Sequence, residues 1–176
     1  ITGFTSATVV AATTQVNFAD TSAKTDWKLG AFSGTTGHPS CVSFFEQRLV
    51  FAGTIAEPQT LYFSKAGDYE NMTTGTNADD AMVYTIASNQ VNRIRYLKSV
   101  RTLIVGTTGG EFTVSADGTD AAVTPTNIVI KKQSSYGTAN VDAQPAGSSI
   151  LFLQKAKRKI RELTYNFDVD GYVAAD

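Results

Sequence analysis

An all-β protein assembled from blade-like repeats is the fold class this sequence predicts, on three observations. β-Branched and aromatic residues cluster in short runs punctuated by Gly, Asp, Asn or Pro. An apolar unit recurs at a spacing of roughly 50 residues. No stretch sustains apolar residues at i, i+3, i+4 and i+7 over three turns, the pattern an amphipathic helix requires. The expectation is therefore β-propeller-like blades, about three of them in an incomplete ring, with a small N-terminal β segment.

Taken in chain order, Thr8-Val9-Val10 and Gln15-Val16-Asn17-Phe18 read as strands of that N-terminal segment, followed by the polar stretch 20–26. Trp27 is expected to anchor the ensuing loop on the edge of the blades. Beyond it, strands are predicted at 42–46, 48–52, 60–64, 81–86, 93–97, 102–106, 111–115, 127–132, 149–154 and 161–166, with turn-forming residues between most of them. Leu49-Val50-Phe51 recurs as Leu103-Ile104-Val105 and as Leu151-Phe152-Leu153. Each is followed about ten residues later by a second run, Leu61-Tyr62-Phe63, Phe112-Thr113-Val114 and Leu163-Thr164-Tyr165, at hairpin distance. Polar turns close each unit: Ser64-Lys65-Ala66-Gly67-Asp68, Ser115-Ala116-Asp117-Gly118 and Asn166-Phe167-Asp168-Val169-Asp170-Gly171. The domain reading is 1–30 for the N-terminal segment and linker and 31–176 for the blades, divided at about 31–85, 86–140 and 141–176. Because the inner strands are apolar without alternation, both their faces are expected to lie under neighbouring sheets.

With 15 Lys+Arg against 16 Asp+Glu the net charge is −1, which argues against a general electrostatic trap for nucleic acid or anionic membrane. Cys41 is the single cysteine, so neither an internal disulfide nor paired Cys-x-x-Cys zinc motifs are possible. There is no apolar run of about 18 residues and no basic, apolar leader at Ile1-Thr2-Gly3-Phe4, so a soluble protein without membrane insertion is expected. A start without Met and an end just after a turn read as a piece of something longer.

Trp27-Lys28-Leu29-Gly30-Ala31-Phe32-Ser33, Gly37-His38-Pro39-Ser40, Phe44-Phe45-Glu46-Gln47-Arg48-Leu49-Val50-Phe51-Ala52-Gly53-Thr54 and Leu61-Tyr62-Phe63-Ser64-Lys65-Ala66-Gly67-Asp68-Tyr69 follow one another in an order and spacing that resemble the tail nozzle proteins of short-tailed bacteriophages. Arg161-Glu162-Leu163-Thr164-Tyr165 with Asp170-Gly171-Tyr172 is similar to a later blade of the same proteins. The resemblance covers residues 27 to 176, the middle blade in pattern only. It implies a homo-oligomeric ring, hexameric by analogy, in the phage tail of the virion. Such a ring continues the conduit for double-stranded DNA, beside adaptor and fibre proteins, and is assembled in the host bacterial cytoplasm. It implies no catalytic residues and no cofactor, and a parent longer than this chain.

Other candidates for chemistry are thin. His38, the single histidine, precedes Pro39 in an extended turn, which leaves a His-based triad or metal cluster resting on one residue. Cys41 at a strand start is the pattern of a packed thiol. Ser115-Ala116-Asp117-Gly118-Thr119 resembles the Asp-box turn of sialidase propellers but is one residue short before Gly. Asp168-Val169-Asp170-Gly171 has alternate carboxylates without the further oxygen ligands a calcium loop needs, and Asp79-Asp80 is similarly bare. Lys155, Lys157, Arg158, Lys159 and Arg161 place five positive charges within seven residues at a hairpin tip, candidates for contact with a neighbouring subunit or with DNA. Since a conduit must let DNA slide, the subunit contact is preferred. Arg93, Arg95, Lys98 and Arg101 form a looser second set. The alternative functions are a glycan- or receptor-binding propeller, with Tyr62, Tyr69, Tyr136 or Tyr172 at loop tips, and a glycoside hydrolase, which needs paired carboxylates across a cleft.

Overall fold

The computed structural model describes residues 3–6, 9–11, 31–118 and 121–175. The chain divides into two compact units, Ile1–Gly30 and Ala31–Asp176. In the first, β1 (Gly3–Ser6) pairs antiparallel with β2 (Val9–Ala11). The strand expected at 15–18 and the anchoring role of Trp27 lie outside the described residues.

The second unit is all-β: three antiparallel four-stranded sheets, none closed into a barrel. The first holds β3 (Cys41–Phe45), β4 (Arg48–Ala52), β5 (Thr60–Phe63) and β6 (Met82–Thr85) in sequential order. The second holds β7 (Ile94–Ser99), β8 (Leu103–Thr107), β9 (Gly110–Ala116) and β10 (Ile128–Ser134). The third holds β11 (Gln144–Ala146), β12 (Ser149–Leu153), β13 (Ile160–Asn166) and β14 (Gly171–Ala175), with a 3-10 turn at Phe167–Val169 before its last strand. Each sheet is a meander of adjacent hairpins, so the long crossover of a parallel sheet is not needed.

Two apolar cores join the sheets face to face. Val50, Ala52, Leu61, Phe63 and Met82 of the first sheet meet Ile94, Leu97, Leu103, Val105, Phe112 and Val114 of the second. The opposite face of the second sheet presents Tyr96 and Ile104 to Ile150, Phe152, Leu163 and Tyr172 of the third. Burying one such aliphatic or aromatic side chain contributes about 1.5–3 kcal/mol, against about 1 kcal/mol net for a ladder hydrogen bond. The cores therefore hold the stack, and the ladders set its register. Ile94 and Tyr96 are two residues apart yet face opposite cores. The register shift between them, a bulge on β7, makes this possible.

Coverage of both faces holds for the middle sheet, where all five residues of β8 and the first five of β9 are buried. It fails in the third sheet: β13 alternates, Leu151 is exposed on β12, and the outer face meets solvent. The apolar triplets are also out of phase by one residue there. Val50 and Ile104 each face the following sheet, whereas Phe152 faces the preceding one. A one-residue slip turns every side chain of a strand to the other face, so the sequence repeat locates the strand but not its facing. β11 and β14 were not among the expected strands. The first contains Pro145, tolerated because β11 is an edge strand.

Gly106 on β8 is where two strands share one volume. Tyr96 lies across it from β7, and a Cβ at Gly106 would stand 2.0 Å from Tyr96 Cε1. Gly106→Ala is expected to push Tyr96 out of the second core and cost about 2–3 kcal/mol, the range of core overpacking. A urea denaturation midpoint unchanged from wild type would show that the ring can shift without loss.

Candidate functional site

The stack leaves two open sheet faces, and their chemistry follows from strand alternation. On the first sheet the register Val42↔Phe51↔Tyr62↔Val83 puts one apolar row across all four strands, pointing away from the core. Phe32, in the loop before β3, covers the middle of that row edge-on, 5.6 Å from Phe51 and 5.0 Å from Tyr62 between ring centroids. Val42, Phe44 and Val83 stay 59%, 60% and 46% exposed, with Tyr69 packed edge-on against Phe44. The open face of the third sheet carries Leu151, Ile160 and Val173, all exposed, interspersed with Glu162 and Thr164.

One end of the stack gathers three hairpin connections. The Ile94 N–H donates to Pro58 O (2.9 Å), tying loop 53–59 of the first sheet to the start of β7. The Thr138 N–H donates to Thr107 O (2.8 Å), and the Lys155 N–H to Gly137 O (2.9 Å), linking the β8–β9 turn to the β12–β13 tip. That tip is the basic run. It is tight, with the Gln154 N–H on Lys159 O (3.0 Å) and Lys157 in a left-handed conformation at φ 57°. Lys155, Lys157, Arg158 and Lys159 are exposed there, followed by exposed Ile160. Arg161 is placed differently. It is buried, its guanidinium carbon 3.6 Å from the Tyr136 ring centroid and its Nε donating to Gln154 Oε1 (3.2 Å). Four of the five predicted residues thus share one exposed tip, and the fifth secures its base.

Three of the four residues of the second basic set are engaged within the fold. The Lys98 ammonium meets Asp142 at 2.6 Å, Arg95 donates to Asn140 Oδ1 (3.1 Å), and Arg101 stacks over Tyr165 at 5.2 Å. Arg101, Lys131, Gln133, Asp117, Asp170 and Glu46 line a cleft of about 670 Å³ between the second and third sheets. Several of these groups are bonded within the protein: Glu46 Oε2 accepts from the Val123 N–H (2.6 Å), Gln133 Oε1 from the Tyr172 N–H (2.8 Å), and Asp170 from the Tyr165 hydroxyl. His38 is exposed on its turn. Cys41 packs against the first core, and burial pushes its thiol up, away from thiolate reactivity. Asp168 and Asp170 belong to a capped 3-10 turn in which Asn166 Oδ1 accepts from the Asp168 N–H (2.8 Å). Of the tyrosines named for sugar stacking, Tyr62 and Tyr172 are buried, while Tyr69 and Tyr136 are exposed and engaged with Phe44 and Arg161. No group of three His, Cys, Asp or Glu side chains comes together among the described residues.

Two buried ionisable residues carry no sequence signal. Arg48 is 2% exposed and donates to four carbonyl oxygens, those of Ser64 (2.8 Å), Ala78 (2.6 Å), Asp79 (3.3 Å) and Asp80 (2.7 Å). Glu111 on β9 is fully buried, with Oε2 accepting from the Ser134 hydroxyl. Burial raises its carboxyl above the ordinary range, while Ser134, the Gly137 N–H and Lys132 pull it back. A strand Glu opposite a strand Ser reads from sequence as a solvated pair, so only the facing of β9 reveals it.

Together these features define an all-β protein of stacked four-stranded sheets, with an apolar row open on the first sheet and a mixed apolar and polar face open on the third. No protein-family model matches the chain, and a search of curated proteins gives no match.

Proposed function

We propose that this chain is a non-enzymatic structural protein of a bacteriophage virion, part of a tail nozzle ring that forms the DNA exit conduit. One observation carries the reading: the sheets stack on one another by apolar faces, and the first sheet turns a further apolar row outward, which is the design of a building part. The resemblance over residues 27 to 176 supplies the viral assignment and the partners, namely further copies of the subunit, adaptor and fibre proteins, and double-stranded DNA in transit. Lys155, Lys157, Arg158 and Lys159 then serve a neighbouring subunit in preference to DNA, since each phosphate contact would add salt-dependent friction to passage.

A glycan-binding module is the second reading, favoured by Phe167, 82% exposed on its capped turn and edge-on to Tyr165 at 5.0 Å. Mass measurement of the purified chain together with a glycan-array screen separates the two. Assembly beyond a monomer without sugar binding is expected. A monomer that binds sugar through Phe167 would overturn the nozzle reading.

A further inference from the structure

We propose that one buried water molecule bridges the Tyr96 hydroxyl and Glu111 Oε1 between the second and third sheets, completing a polar hub beneath the tip 155–159.

Four buried side-chain atoms find no protein partner among the described residues: Nε of Arg93, Nε of Arg95, the Tyr96 hydroxyl and Glu111 Oε1. The two arginines are only half-buried, and each guanidinium has further donors to spend, as Arg95 does on Asn140. Tyr96 and Glu111 are 1% and 0% exposed. A polar atom left bare at that depth loses its hydration without return, which is why such atoms in folded proteins are matched by a neighbour or by ordered water.

Topology aims the two bare atoms at one point. Tyr96, Gly106 and Glu111 follow one another across β7, β8 and β9 in a single row, on the face turned to the third sheet. With no side chain at Gly106, the Tyr96 ring lies across β8, its Cζ 2.3 Å from where a Cβ of Gly106 would stand. Directly opposite residues on paired strands have Cβ positions about 5 Å apart, so the hydroxyl, one bond beyond Cζ, ends beside the Glu111 side chain. No hydrogen bond joins the two directly, yet the charge of Glu111 bears on Tyr96. A buried water, with its roughly three hydrogen bonds, suits such a gap. A hard cation does not, since it takes about six oxygen ligands or more, and no group of three His, Cys, Asp or Glu gathers among the described residues.

The bridge fixes more than two side chains. Glu111 also accepts from the Ser134 hydroxyl and the Gly137 N–H, and Gly137 O accepts from the Lys155 N–H at 2.9 Å. Segment 134–137 therefore carries the anchoring from β9 to the base of the four exposed cations.

The test combines a crystal structure of the wild-type chain, at a resolution that shows ordered water, with urea denaturation of Tyr96→Phe, a change that keeps the ring over Gly106. An ordered water within hydrogen-bond distance of both atoms is expected. The folding equilibrium constant of Tyr96→Phe should fall about fivefold, as loss of a satisfied buried hydroxyl does. A constant equal to or above that of wild type would overturn the proposal, because deleting an unsatisfied polar atom relieves a penalty instead of removing a bond. A direct Tyr96–Glu111 hydrogen bond in the crystal, an ordered cation at the position, or two atoms that stay bare would each overturn it as well, and the crystal decides even where the variant fails to fold.

Discussion

Replacing Arg48 by alanine is expected to destabilise the protein by about 2–4 kcal/mol, the range for removing one side of a buried, multiply bonded charged group. The loss is specific because of what the guanidinium holds. Its four acceptors come from the end of β5 and from segment 78–80, which approaches β6. Between those anchors runs a connection otherwise tied mainly by single backbone bonds, among them the Ala66 N–H on Asp79 O at 2.9 Å and the Gly67 N–H on Gln47 O at 2.8 Å, and by the Lys65–Asp79 pair at 3.0 Å. An exposed pair of that kind contributes little by itself. The same connection carries Tyr69 against Phe44, so loosening it also disturbs the open face of the first sheet. Arg48→Lys should recover only part of the loss, since an ammonium is a compact point donor and cannot span the fork the guanidinium fills. Limited proteolysis should find new cleavage within residues 66–80 of Arg48→Ala at native temperature. Equal denaturation midpoints for wild type, Arg48→Lys and Arg48→Ala would show that the carbonyls are satisfied without it.

Arg48 also marks where reading from sequence stops. The all-β class, the repeat and the position of most strands were legible, because apolar runs separated by turn chemistry are local signals. The type of the turn before Arg48 was not. Glu46 and Gln47 both adopt left-handed conformations, φ 46° and 59°, where Asn-Gly would be the readable signature. That turn is maintained by tertiary bonds, from Gln47 O to Gly67 and from Glu46 to Val123, and tertiary bonds have no local pattern. Facing was equally hidden. Leu151-Phe152-Leu153 matches its sister triplets residue for residue in hydrophobicity, yet slips by one in orientation. β14 was missed because Gly171-Tyr172-Val173-Ala174-Ala175 is short and follows a capped turn that reads as an ending. Of the candidate site, the basic tip was visible as a charge run. The division between four exposed cations and an Arg161 stacked on Tyr136 depends on the loop that brings Tyr136 alongside.

Glu111 gives the protein a stability that should decline as pH rises. Its row across the second sheet is Tyr96↔Gly106↔Glu111↔Ser134, and the absence of a Cβ at Gly106 lets the Tyr96 ring lie flat in it. Tyr96 and Glu111 are both buried, and neither the Tyr96 hydroxyl nor Glu111 Oε1 has a protein partner among the described residues. Burial raises both groups, and for Tyr96 the charge of Glu111 adds to it. The carboxyl therefore keeps its proton in the folded chain at pH values where the unfolded chain has released it. Stability is fully present below the ordinary glutamate pKa of about 4.3 and is lost as pH climbs through the raised folded value, with a slope of at most about 1.4 kcal/mol per pH unit in that window. Lys132, the charged neighbour that favours the ionised form, narrows the window without reversing its sign. Glu111→Gln keeps the shape and removes the titration, so its urea midpoint should stay level between pH 5 and 9 while that of wild type falls. At the alkaline end the variant should be the more stable of the two. Parallel pH profiles for the two proteins would mean that Glu111 is already ionised in the fold, with water or a cation reaching it between the second and third sheets.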